Sequence, residues 1–184
     1  MLRFLLSAAV AATASATPAF AQEAKGDFTG LRLEGLVGYD ESLTYGGAAG
    51  FDFQSGDAVF GLEGEYLESS DKRCEATVAP AGGRLCDFAG RDIYVGGRVG
   101  AAVAPGTLLY AKAGYTNLRL GATLDNGAGS TSLIFSQKLD GIRVGAGVEQ
   151  KLGQKFYVKG EYRYSDYESG SRKHDAVVGL GIRF

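Results

Sequence analysis

The sequence predicts an all-β protein: eight antiparallel strands in up-and-down order, closed into a barrel. Three observations carry that expectation. Apolar residues recur at every second position in eight separate segments. Tight-turn residues separate some neighbouring segments, while longer polar stretches separate the others. The chain also ends on an alternating strand, Ala176, Val178, Leu180, Ile182 and Phe184, whose backbone needs a partner at the very terminus.

The segments follow in order. Leu31, Leu33, Gly35, Val37 and Tyr39 share one face opposite Arg32, Glu34 and Leu36. Tyr45, Gly47, Ala49, Phe51 and Phe53 oppose Asp52 and Gln54, and Phe60, Leu62, Gly64 and Tyr66 oppose Glu63 and Glu65. The fourth segment sets Ile93, Val95, Gly97, Val99, Ala101 and Val103 against Asp92, Tyr94, Arg98 and Gly100. In the fifth, Leu109, Ala111, Ala113 and Tyr115 alternate with Tyr110, Lys112 and Thr116, and the phase blurs beyond Asn117. Ile142, Val144, Ala146 and Val148 then oppose Arg143 and Glu149. Phe156, Val158, Gly160, Tyr162 and Tyr164 oppose Lys159, Glu161 and Arg163. The last strand sets its apolar face against Asp175 and Arg183. Short turns are expected at Ser55–Asp57, Pro105–Gly106 and Leu152–Gln154, and outer loops at Asp40–Thr44, Ser69–Gly90, Leu120–Gln137 and Asp166–Lys173. With the short turns at one end and the loops at the other, the last strand returns to residues 31–39 and closes the barrel.

Composition agrees. The 184 residues fit one domain, and 29 glycines with only 3 prolines argue for crowded strands instead of disorder. Residues 1–21 read as a secretory signal peptide, with Arg3, an apolar run from Phe4 to Ala12 and the small residues Ala19 and Ala21, leaving 22–184 as the barrel domain. Losing Arg3 takes the formal charge from −2 to −3, too mild to imply nucleic acid or another charged partner.

Alternation alone leaves open a soluble barrel with its apolar face turned inward. Three features favour a membrane-spanning barrel, the first being the asymmetry of short turns at one end and longer loops at the other. The polar face holds a nearly balanced set: Arg32, Arg98, Lys112, Arg143, Lys159, Arg163 and Arg183 against Glu34, Asp52, Glu63, Glu65, Asp92, Glu149, Glu161 and Asp175. Such a set can pair in a narrow lumen. Aromatics cluster near both strand ends, with Tyr39, Tyr45, Tyr66, Tyr115 and Tyr164 towards the loops and Phe53, Phe60, Phe156 and Phe184 towards the turns, as in interfacial girdles, although tryptophan is missing.

The leader, the eight amphipathic strands, YVKGEYRYSDY and the terminal GLGIRF resemble the small outer-membrane β-barrel family of Gram-negative bacteria, in particular the porin-family or opacity-like surface proteins. Barrel size is similar to the outer membrane protein A transmembrane domain. The resemblance implies short periplasmic turns, longer outer loops, contact with outer-membrane lipid and lipopolysaccharide, and export across the inner membrane. It also implies that Phe184 is the assembly signal read by the barrel-insertion machinery.

Chemistry is sparse. His174 beside Asp175 invites a hydrolytic dyad with Ser165, Ser169 or Ser171, but no spacing supports one. One histidine and two cysteines give no metal spacing, and no cofactor is implied. Cys74 and Cys86, within one outer loop of an exported chain, are expected to form a disulfide. The expected role is therefore structural, with surface interactions through the outer loops. A narrow pore is the alternative, and a lipid-modifying hydrolase is a third, weaker one.

Overall fold

The computed structural model describes residues 27–184 except 41, 71, 77–83, 126–130 and 169, so the predicted signal peptide lies outside the described residues. Nine strands are present: β1 Gly30–Asp40, β2 Ser42–Ser55, β3 Ala58–Ser69, β4 Lys72–Ala76, β5 Arg84–Ala104, β6 Thr107–Asp125, β7 Thr131–Leu152, β8 Phe156–Tyr167 and β9 Arg172–Arg183. Eight of them close a ring, because β3 pairs with β5 and β9 pairs with β1, every pairing being antiparallel. The closure joins Arg32 to Arg183 and Tyr39 to Ala176 in register, and the Phe184 amide donates to the Leu31 carbonyl at 2.9 Å. No sheet edge remains open within the ring.

The three short turns each place a glycine at positive φ: Gly56 at 62°, Gly106 at 77° and Gly153 at 84°. Side chains larger than hydrogen are strained in that conformation, which is why these turns can stay so short.

The predicted outer loops need correction. Much of Ser69–Gly90 is strand, comprising β4 and the start of β5, and Leu120–Gln137 is largely the end of β6 and the start of β7. These segments form a four-stranded sheet, β4-β5-β6-β7, that stands beyond the ring. The physical reason is exposure. From Thr131 to Lys138 every residue is exposed, so both faces meet water and no alternation is imposed.

Inside and outside are reversed relative to a soluble barrel. Leu62 is 73% exposed, Ile142 67% and Val178 60%, whereas Arg32, Asp52, Arg143 and Glu149 are at 0%. An apolar wall of this kind round a closed ring of strands is the arrangement of a barrel that faces lipid. Lumen glycines make room for large neighbours: Gly181 pairs with Tyr157 across β8 and β9, and a Cβ there would lie 2.2 Å from the Tyr157 ring.

Candidate functional site

The lumen holds all fifteen ionisable side chains of the predicted network, each of them buried. They sit together because successive strands present their alternate residues to the same narrow interior. Towards the short-turn end, Asp52 lies between Arg98 (Nε 2.9 Å) and Arg183 (Nη1 2.6 Å), with the Arg32 Nε at 3.2 Å. Glu149 bridges the same pair, 2.7 Å from Arg183 and 3.1 Å from Arg98. Arg32 also pairs with Glu34 and Glu63.

At mid-height Lys112 Nζ is the hub, 2.8 Å from Glu63, 2.7 Å from Glu65 and 2.8 Å from Glu161. Arg163 pairs with Glu65 at 2.8 Å and with Glu161, and Lys159 pairs with Glu34. Nearer the hairpins, Arg143 reaches Asp92 at 2.5 Å and donates to Ser165 at 2.8 Å, while Asp175 meets Lys173 at 2.9 Å. Each charge is compensated by direct partners, the condition for keeping ions out of water.

Tyrosines complete the packing. Tyr157 donates to Glu34 at 2.7 Å, Tyr110 donates to Glu161 at 2.6 Å, and the Lys112 ammonium lies 4.4 Å from the Tyr94 ring centroid. Side chains thus occupy the interior along its length, as expected for eight strands.

One lumen residue has no signature in the alternation. Phe28, before β1, is fully buried against Val59, Ala102, Leu108 and Tyr110 at the short-turn end. Its amide donates to Gln54 Oε1 at 2.7 Å, its carbonyl accepts from Arg183, and the Lys151 ammonium lies 4.8 Å from its ring. Beside it, the Thr29 amide hydrogen-bonds the Asp27 carboxylate at 2.8 Å and holds that group below its ordinary range. An aromatic just ahead of the first alternating residue, Leu31, is the only trace of this plug in the sequence.

The imagined hydrolytic dyad is not assembled. Ser165 is buried in the lumen on Arg143, whereas His174 is on the outer surface, its Nδ1 2.6 Å from the Tyr162 hydroxyl. Its ring packs 4.9 Å from that of Tyr164. Ser169 lies outside the described residues.

At the other end of the molecule, Cys74 and Cys86 face each other across β4 and β5 and are disulfide-bonded. The bond staples the first protruding hairpin, an effect of about 3 kcal/mol in the chain-entropy picture. Protein purified without reductant should give no reaction with a thiol label until it is reduced, and then two labelled cysteines. Two free thiols before reduction would mean that the hairpin is not stapled.

Residues 4–184 match the family described as the outer membrane protein beta-barrel domain. The chain belongs to that family. No curated protein sequence matches it. Among solved structures, the Yersinia pestis attachment invasion locus protein Ail, in complex with the heparin analogue sucrose octasulfate, is similar with a TM-score of 0.53 at 14% identity, over 85% of this chain and 97% of that one. The N-terminal β-barrel domain of Pseudomonas aeruginosa OprF gives a TM-score of 0.51 at 19% identity, over 85% and 98% of the two chains. Neisserial surface protein A gives 0.50 at 16% identity, over 84% and 94%.

As an outer-membrane barrel the molecule has a defined up and down. Phe53, Phe60, Phe156 and Phe184, all more than half exposed, ring the short-turn end, and Tyr39, Tyr45, Tyr66 and Tyr115 ring the other. The protruding sheet stands beyond the tyrosine girdle.

Proposed function

We propose that this outer-membrane barrel is an anchor, and that its work is done by the sheet it holds outside the cell. The observation that supports this most directly is the length of β5, β6 and β7, which at 21, 19 and 22 residues are far longer than the 11 of β1. About ten tilted residues suffice to cross the membrane, so the surplus serves something beyond it. The packed lumen speaks against the pore alternative, since buried ion pairs and tyrosines fill the path a solute would need. The separation of Ser165 from His174 speaks against the hydrolase. In this reading a cleaved leader at 1–21 exports the chain, the insertion machinery recognises Phe184, and lipopolysaccharide and outer-membrane lipid surround the apolar wall.

Protease added to intact cells should cut within residues 69–90 or 120–137 and leave the barrel. A cut between Cys74 and Cys86 should release its fragment only after reduction, because the disulfide bridges it. Cleavage at Ser55–Asp57 instead would turn the barrel upside down and end the proposal.

A further inference from the structure

The protruding sheet has two outer edges, and they are built differently. One is β4, whose five residues include Lys72, Arg73 and Glu75 and are tied back by the disulfide. Charge and brevity are how sheets protect an edge from pairing with foreign strands. The other edge is the outer part of β7. On one side β7 pairs with β6 from Thr131 to Gln150, apart from one bulged residue, but on the other its pairing with β8 begins only at Gly141, opposite Tyr167. Among the described residues no strand pairs with the open side of Thr131–Leu139. From Thr131 to Gln137 this edge, TSLIFSQ, carries no charge and no proline. Its centre exposes Leu133, Ile134 and Phe135 at 55%, 57% and 52%. The bulge between Ala122 and Thr123 leaves Ile134 without a cross-strand partner on β6.

Lys138 at its barrel end and the bulge are the protections this edge carries, and the uncharged stretch beyond Lys138 is a template for another strand. The sequence of this stretch points to its occupant. When the segment is laid antiparallel against an identical copy about a two-fold axis at Ile134, Ile134 faces itself, Leu133 faces Phe135, Ser132 faces Ser136 and Thr131 faces Gln137. Apolar meets apolar, hydroxyl meets hydroxyl, and no like charges oppose one another, which is what cross-strand pairing rewards. Symmetry then fixes the setting. A sheet continues across two identical edges only when the strands run antiparallel, about an axis perpendicular to the sheet. Strands of an outer-membrane barrel are tilted by about 40° but still climb towards the outside, so antiparallel pairing points the two barrels in opposite directions. Two copies in one membrane cannot do this, whereas copies in two facing membranes can.

We infer that the β7 edge pairs with the β7 edge of a second copy in an apposed outer membrane, joining two cells through one continuous β-sheet. This inference rests on the anchor reading given above.

The test uses the full-length protein in host cells with truncated lipopolysaccharide, labelled in two colours. Cells carrying the protein should co-aggregate with one another and not with cells lacking it. Ile134→Lys on both populations sets like charges face to face and should abolish co-aggregation, as should Ile134→Glu on both. Mixing Ile134→Lys cells with Ile134→Glu cells should restore it, a result that neither insertion into lipid nor a foreign receptor would give. Heat-modifiable gel mobility checks that each variant is folded. Co-aggregation with cells lacking the protein, indifference to Ile134→Lys, failure of the mixed pair, or no aggregation of wild-type cells would each overturn the inference. An antibody to Thr131–Lys138 reads the placement separately: if it labels intact cells that do not aggregate, the anchor reading stands and only the pairing falls.

Discussion

Replacing Arg143 with glutamate should destabilise the barrel by about 3–5 kcal/mol, the cost of leaving buried charge unpaired. Arg143 is fully buried, bound to Asp92 and Ser165, with Glu65 at 3.9 Å. The substitution takes the lumen from seven cations and eight anions to six and nine, and it places the new carboxylate against Asp92. With a urea slope of about 1–3 kcal/mol/M, the unfolding midpoint in detergent should fall by roughly 1–5 M. Arg172→Glu is the control, since the Arg172 side chain is 68% exposed and 3.9 Å from Asp166. Surface pairs of that kind contribute little, so its midpoint should barely move. Equal effects at the two sites would mean that the lumen is wet.

Deleting Phe184 should have its largest effect in cells. Phe184 is 64% exposed at the short-turn girdle, and the backbone contact it adds is one hydrogen bond to Leu31. Losing a partly buried ring should cost refolding in short-chain lipid no more than about 1–3 kcal/mol. If the insertion machinery reads this residue, however, the truncated chain should be degraded or left in the periplasm, with little reaching the outer membrane. Fractionated cells containing normal amounts of the truncated chain in the outer membrane would contradict that role.

How much of this was legible in the sequence depended on where each residue sits relative to lipid. Where one face meets the bilayer and the other a packed lumen, the two environments differ at every second residue. Val95 and Tyr94, or Val144 and Arg143, therefore announce their sides, and the ring order, the closure by β9 and the lumen charges could all be read from phase. Above the girdle both faces meet water, the difference vanishes, and Thr131–Gln137 read as loop although it is strand. β4 was too short to show a period. Phe28 escaped because it plugs the lumen from outside any strand, and Lys173 because its partnership with Asp175 lies at a strand end. His174 and Ser165 are near in sequence, but the register sends one out and the other in, which a list of residue types could not reveal.

The central claim is that this barrel turns its apolar face to lipid and its charges inward, and the absence of tryptophan from the chain makes that directly measurable. Val95 is 60% exposed on the outer wall, while its neighbour Tyr94 is fully buried in the lumen at nearly the same depth. Single tryptophans introduced as Val95→Trp and Tyr94→Trp, refolded into bilayers whose acyl chains carry bromine near their ends, compare the two faces at one height. The structure predicts strong quenching for Val95→Trp and little for Tyr94→Trp. Quenching of Tyr94→Trp with Val95→Trp protected, or equal quenching of both, would contradict it.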